Sequence, residues 1–300
     1  MGLWDKEYIK LCKKILEEGV ETENRTGTNT IKLPAYFLEF DLEREFPVLT
    51  TKQLFFKNAI TEILWIYQAQ SNNVQWLQER GNNIWNEWEI DEEGNWKATQ
   101  MMPDINGNLV KKDINKNFGK EYAHTIGTAY GWIVNKFNLT DNLINTLKNN
   151  PKDRRIIMSL WQNEYLDTAV LPSCVWSTEW DVTNDRLNLM VHQRSCDVPL
   201  GLPFNITQYA TLLSLIAHCT NLKVGKMYWS IKDAHIYVNQ IDGIKEQIRR
   251  NEELEDLKAP ELWINPEVND FYEIDNSREL KDIKILNYKH HGKLEFPISQ

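Results

Sequence analysis

A lone thiol in apolar company, Cys174 in LPSCVWSTEW, is the side chain in this sequence best suited to nucleophilic chemistry, yet no histidine stands beside it to take its proton. Such a cysteine is most often just a small buried side chain. The four cysteines, at 12, 174, 196 and 219, form no CxxC pair and no metal-type spacing with the six histidines. They read as free thiols of a reducing cytosol, so any thiol chemistry is nucleophilic, with no metal. A second concentration of chemistry lies in HQRSCDVPLGLPFNITQYA, where Arg194, Ser195, Asp197, Gly201, Pro203 and Asn205 crowd together just before an apolar helix. Ser, Asp and Asn there would commonly serve as caps and turns; the density of different hydrogen-bonding types is what sets the stretch apart. In KDAHIYVNQ a strand would put Asp233, His235 and Tyr237 on one face, which is ordinarily a solvated face. Arg154 and Arg155 in PKDRRII, and Arg25 in NRTGT before a glycine, could be surface charge, but guanidinium forks also suit phosphate oxygens.

The elements that must position these residues follow from periodicity. DKEYIKLCKKILEEG spaces Ile9, Leu11, Cys12, Ile15 and Leu16 as a helix ending at Gly19, and FFKNAITEILWIYQAQ is apolar on most faces, as a buried helix is. TIKLPAYFLEFDL reads as a strand interrupted by Pro34. Later come a helix ending near Pro151, a strand RRIIMSLW, a hairpin turning at TNDR, a long helix ITQYATLLSLIAHCTN and a strand KMYWSI. Residues 89–125 lose periodicity and gain Gly, Asn and charge, marking an exposed insertion or small subdomain with no chemistry assigned to it. No linker divides residues 1–300, so the expectation is one mixed α/β (α+β) domain carrying that insertion.

Composition limits the function. With 42% hydrophobic residues and 12 Trp, the 300-residue chain can bury a large core. A net charge of −9 argues against general nucleic-acid binding, which needs surplus Lys and Arg, so the positive site for an anionic ligand must be local. The N-terminal stretch has no long apolar run, and Lys6 stands where a myristoylation signal would want Ser or Thr, so neither membrane nor export is expected.

These blocks, with TEILWIYQAQSN, IWNEW, AYGW, KDRRIIMSLW and APELWINPEV, make the chain resemble the thymidylate synthase family in order and spacing over nearly its whole length. The resemblance implies a large sheet, a homodimer packed through sheets, dUMP as substrate and 5,10-methylenetetrahydrofolate as carbon and hydride donor. It carries the nucleophile to Cys174, whose thiolate would add to carbon 6 of uracil in covalent catalysis. Arg194 would lie near the thiol, favouring thiolate and holding the phosphate. Arg25 and Ser195 match further phosphate contacts, and Arg154 with Arg155 match the pair supplied by the other subunit. Glu62 in its apolar helix could, taken alone, simply point outward; with the resemblance its burial would raise its pKa and let it move protons through ordered water. Asn205 matches the reader of the uracil edge, His235 and Tyr237 the ribose contacts, and Tyr130 and Asp197 positions lining the reacting ring and the pterin. Ile84, Trp85, Trp88, Leu171, Gly201 and Phe204 match the folate-side wall, closed from outside by a C-terminal segment carrying Ile298.

This sequence departs from the family's usual pattern at several points. Ser173 and Val175 flank the cysteine where Pro and His are common, Glu179 and Trp180 stand for Gln and Phe, Lys232 replaces a Gly, and FPISQ ends the chain at a polar Gln300. A sister reaction in which water captures the exocyclic methylene, giving 5-hydroxymethyl-dUMP, stays open. The dCMP version of it would want an acid in place of Asn205. An inactive nucleotide-binding homologue is the third reading, against which Cys174, Glu62 and Arg194 all speak.

Overall fold

The computed structural model describes residues 2–299; Gln300, and with it the last residue of the polar tail, lies outside them. The helices are α1 (Leu3–Glu18), α2 (Phe56–Tyr67), α3 (Val74–Gln78), α4 (Gly131–Lys136), α5 (Leu139–Asn149), α6 (Gly201–Cys219) and α7 (Ile241–Glu253). The strands are β1 (Val20–Thr22), β2 (Thr30–Asp41), β3 (Asn95–Pro103), β4 (Leu109–Asn117), β5 (Ile157–Ser159), β6 (Val175–Thr183), β7 (Arg186–Gln193), β8 (Cys196–Asp197), β9 (Lys223–Tyr237), β10 (Glu261–Ile264) and β11 (Ile283–Leu286).

Seven strands form the main sheet in the order β1-β2-β9-β7-β6-β5, with β8 added beside β9. The sheet is mixed: β7 and β8 run parallel to β9, while the other pairs are antiparallel. Helix α6 is apolar almost all round, and a helix of that kind has to be buried. It lies in the core with α2 and the sheet, burying Leu202, Ile206, Leu213 and Ile216 fully. Leu187, Leu189 and Val191 of β7 and Met227 and Trp229 of β9 supply the sheet side of that core. The two ends of α6 and β9 therefore have little freedom, and the residues at those ends inherit it.

Three local readings are corrected. Pro34 does not interrupt its strand: β2 runs through, with Leu33 facing Ala234 and Ala35 facing Lys232 of β9. Strand β1 pairs only as far as Lys32, so Pro34 lies on an edge, where a missing N–H is tolerated. The stretch RRIIMSLW is strand only over Ile157–Ser159, because the Asp153 carboxylate accepts the Arg155 N–H at 2.9 Å and turns the chain ahead of it. KMYWSI and DAHIY are one strand, β9, kinked at Asp233, whose φ of +55° lies in the left-handed region. The TNDR turn has Asn184 and Asp185 both at positive φ, the conformation a two-residue hairpin favours.

Within 89–125, β3 and β4 form a separate antiparallel hairpin in register from Asn95↔Asn117 to Pro103↔Leu109. By register Trp96, Ala98, Met102, Val110 and Ile114 share one face, but Gln100, Lys112 and Lys116 interrupt it, which leaves the alternation weak in the sequence. The face of the main sheet away from α6 carries exposed Phe37 on β2 and Ile157 on β5. By register, Tyr228 and Met190 stand on the same face between them.

Candidate active site

Cys174 sits immediately before β6, and the return strand β7 brings Arg194 back beside it. The backbone pairing is direct, Arg194 N–H donating to the Cys174 carbonyl at 2.9 Å. The guanidinium Nη2 lies 3.8 Å from Cys174 Sγ, and Arg194 also donates to the carbonyls of Ser173 (3.1 Å) and Pro172 (2.6 Å). Arg194 thus clamps the loop that presents the thiol. From the other side, the Cys174 N–H donates to the Tyr130 hydroxyl at 3.0 Å. Tyr130 begins α4 with φ +48° and ψ −109°, a strained backbone for a side chain of its size, of the kind that persists where surroundings over-determine a functional position.

Burial pushes the Cys174 thiol up, outweighing the opposite pull of Arg194, of Arg25 and of Tyr130. The expectation that Arg194 favours thiolate is therefore correct in sign but does not win within one chain. The cause is the low-polarity enclosure, which disfavours the charged form more than two arginines at this geometry favour it. Cys12, fully buried and pushed up to about 12, is inert by the same physics.

Behind the thiol runs a relay of buried polar groups. Glu62 on α2 accepts from Trp85 Nε1 at 2.8 Å through one oxygen and from Gln208 Nε2 through the other. Gln208 Oε1 accepts from Asn205 Nδ2 at 3.0 Å, Asn205 Oδ1 accepts from Gln193 Nε2 at 3.1 Å, and Gln193 Oε1 accepts from Trp229 Nε1 at 2.9 Å. Since an indole N–H can only donate, Trp229 fixes the direction of Gln193 and, through it, of Asn205 and Gln208 up to the Glu62 carboxylate. Asn205 then keeps one N–H and one carbonyl lone pair for a ligand. Burial pushes Glu62 up to about 7, against the hydrogen bonds from Trp85 and Gln208, so both its forms are populated near neutrality.

A third group gathers around β8 and the end of β9. Asp197 accepts from Leu200 N–H at 3.0 Å and Gln240 Nε2 at 3.1 Å, and burial raises its pKa above the ordinary carboxylate value. His235 bonds Asp233 at 3.1 Å and stands edge-on to Tyr237 with ring centres 5.2 Å apart. Arg25 is exposed in the loop between β1 and β2, close enough to influence both Cys174 and Tyr237. Ser195 is half-buried next to Arg194.

Trp85 meets Trp88 and Tyr130 edge to face, each pair at 5.4 Å, and Ile84, Leu171 and Phe204 are half-buried against the same core. Gly201 opens α6, and a Cβ there would meet only Asn205 Oδ1 at 3.7 Å. The C-terminal segment is seated by buried Phe296 and by the Pro297 carbonyl, which accepts from Gln240 at 3.1 Å; Ile298 is exposed.

Arg154 and Arg155 are not brought to this site within one chain. Both are exposed, Arg155 is held by Asp153 at 2.9 Å, and among the described residues no hydrogen bond or ion pair joins either to Cys174. Lys232 is exposed on the outer face of β9, across from Ala35, and the positive φ of this region falls on Asp233 instead. Sequence reasoning missed Gln193, Gln208, Gln240 and Lys52. Lys52 is buried, its Nζ lies 4.6 Å from the centre of the Phe296 ring, and burial brings its pKa down to about 8. The available signal was polar residues inside otherwise apolar runs, such as Gln208 in ITQYATLLSLIA.

The thymidylate synthase family model matches residues 6–300. A thymidylate synthase of Clostridium beijerinckii is 45% identical over 299 residues, covering 100% of both chains. Thymidylate synthase 1 of Bacillus subtilis is 37% identical over 318 residues, again covering both chains fully. Among solved structures, the thermostable thymidylate synthase A from Bacillus subtilis superposes with a TM-score of 0.81 at 35% identity, over 98% of this chain and 99% of that one.

Proposed function

The chain belongs to the thymidylate synthase family, a family of methyltransferases, and from that membership we propose how its own residues divide the conversion of dUMP to dTMP. The observation that carries the reading is Cys174, its N–H on the Tyr130 hydroxyl and its thiol beside the Arg194 guanidinium, with Tyr130 packed on the same Trp85 that donates to Glu62. Cys174 adds through sulfur to carbon 6 of the pyrimidine, which makes carbon 5 nucleophilic toward the one-carbon unit. Asn205, oriented by Gln193 and Gln208, offers its remaining donor to oxygen 4 and its remaining acceptor to the N3–H of uracil. Glu62 accepts and returns protons near the ring, as its pKa near neutrality permits. Arg194, Arg25 and Ser195 hold the phosphate, while His235 and Tyr237 hold the ribose.

5,10-Methylenetetrahydrofolate supplies the carbon unit and the hydride when bound. The aromatic pair Trp85 and Trp88, with Ile84, Leu171 and Phe204, fits a flat ring system, and Asp197 offers a carboxyl toward its polar edge. Gly201 leaves room for the ring to approach the start of α6, and Ile298 covers it from the C-terminal side. An apolar wall of this kind keeps water from the reacting carbon and favours hydride transfer over hydration. The expected result is one dihydrofolate formed per dTMP, followed as rising absorbance near 340 nm. Hydroxymethyl product with tetrahydrofolate alone would overturn it.

The acidic chain holds a dianion by concentrating arginines, and we propose that Arg154 and Arg155 complete that site from a second copy in a cytoplasmic homodimer. Their exposure in one chain supports this, as do Phe37 and Ile157, each 54% exposed on the open sheet face. A second copy over that face would bury those apolar side chains, and twofold symmetry makes the exchange of arginines reciprocal. Mixing Arg155→Ala and Cys174→Ala chains should restore activity in hybrid dimers, toward about one quarter of wild type for random pairing with one intact site per hybrid. A fully active monomer, or no recovery on mixing chains that do exchange, would contradict the arrangement.

A further inference from the structure

The β3–β4 hairpin touches the phosphate-binding loop. Its Met101 N–H donates to the Arg25 carbonyl at 3.0 Å. In an antiparallel pair alternate residues turn their N–H away from the partner strand, and Met101 turns its own toward Arg25, not toward Lys111. The Met101 side chain lies directly over Gly27, so closely that a Cβ on Gly27 would fall 2.2 Å from Met101 Cγ. Gly27 has φ +75°, so two independent features require glycine at this contact.

The other end of the hairpin is anchored to the body of the protein. Trp96 Nε1 donates to the Glu87 carbonyl at 3.0 Å, next to the folate-wall residue Trp88, and Lys116 Nζ donates to the Asp167 carbonyl at 2.5 Å. The loop holding Arg25 is ordered internally by Asn24, which accepts from Thr26 N–H at 2.9 Å and donates to the Thr28 carbonyl at 2.8 Å. Asn24 fixes the shape of that loop; Met101 holds it at Arg25, while Val238 N–H on the Asn29 carbonyl at 2.9 Å and Tyr237 on Thr26 hold its far end. Thr28, Met101, Lys111, Asn239 and Ser299 line one open cleft of about 460 Å³, so hairpin, loop and C-terminal segment border the same space.

We propose that the hairpin is a strut spanning from the folate wall to the phosphate loop, with Met101 as a positioning residue that sets nucleotide affinity through Arg25. The proposal rests on the reading of Arg25 as a phosphate ligand. An arginine on an exposed loop loses conformational freedom when it binds, and a loop already fixed at its backbone loses less. The strut therefore acts on the phosphate-dependent part of binding and not on the chemical step.

Two variants test it. In one, residues 97–115 are replaced by Asn-Gly, which closes the hydrogen-bonded Trp96↔Lys116 pair with a two-residue turn and retains both of those side chains. In the other, Met101→Pro removes a single N–H that β4 does not use. Each should raise the KM for dUMP about tenfold while kcat stays within about twofold, leaving the affinity for deoxyuridine, which lacks the phosphate, unchanged. Added to Arg25→Ala, neither should cause a further loss, because both act through the same guanidinium. An unchanged KM, an equal loss for deoxyuridine, or a full additional loss in the Arg25→Ala background would overturn the strut. Arg25→Ala alone separates the two layers. If it leaves dUMP binding intact, the phosphate reading of Arg25 fails and takes the strut with it; if it weakens dUMP while both hairpin variants bind normally, only the strut fails.

Discussion

Cys174→Ala is expected to lower dTMP formation by about 10⁵-fold while dUMP binding stays within about threefold, because covalent addition is lost and the groups that hold the phosphate and sugar are not. The side chain removed is small, and the loop around it is held by backbone groups that the substitution leaves in place: the Cys174 N–H on Tyr130 and the Cys174 carbonyl on Arg194. The fold should therefore survive. The same substitution at Cys12, Cys196 or Cys219 removes a buried thiol with no place in the chemistry, so kcat should be retained in each. Steady-state kinetics with dUMP and methylenetetrahydrofolate, paired with calorimetric binding of dUMP, separates the two effects. A Cys174→Ala chain retaining more than a few per cent of wild-type kcat would remove the nucleophile from the account.

Glu62→Gln is the second large effect, with kcat expected to fall by about 10²- to 10⁴-fold, the range for losing a positioned general acid or base. Both Glu62 oxygens accept hydrogen bonds, from Trp85 and from Gln208, so the group is arranged to take a proton in its ionised form. Its pKa is pushed up to about 7 by burial. The sign follows: wild-type kcat should hold above that pH and fall as the carboxylate protonates below it, while the glutamine variant, which cannot titrate, should lack that limb. A pH profile of kcat in both proteins checks this. An acid limb of unchanged position in the variant would assign the titration to another group.

Glu62 was legible in the sequence for a physical reason. A helix apolar on most faces leaves little water side, so a carboxylate within AITEILWIY reads as buried and raised in pKa, the outward-pointing alternative being closed by the family resemblance. Cys174 was legible only through the surrounding blocks, since a thiol among apolar residues looks the same whether inert or reactive. The amide relay was not legible. Gln193, Asn205 and Gln208 act together with Glu62 only because β7, α6 and α2 meet in space, and nothing local in the sequence signals that meeting. Pro34 misled because proline ends a strand in the middle of a sheet and is tolerated at its edge, a difference set by where β1 stops. The hairpin escaped because Gln100, Lys112 and Lys116 interrupt its one apolar face and blur the period by which strands are recognised.

The balance at Cys174 itself depends on assembly. Within one chain, burial outweighs Arg194 and Arg25 and keeps the thiol protonated. Two more guanidiniums from a second copy would act in the same direction as Arg194, so the proposed dimer both completes the phosphate site and favours the thiolate.

The most direct measurement is the intact mass of the protein after incubation with 5-fluoro-dUMP and methylenetetrahydrofolate, followed by peptide mapping. Carbon 5 of this analogue carries fluorine where a proton must leave, so turnover halts with the cysteine, nucleotide and folate joined. The account predicts a mass increase equal to nucleotide plus folate, located on the peptide containing Cys174 and absent from Cys174→Ala. An adduct of the same mass on Cys196 or another residue, or its persistence in Cys174→Ala, would contradict it.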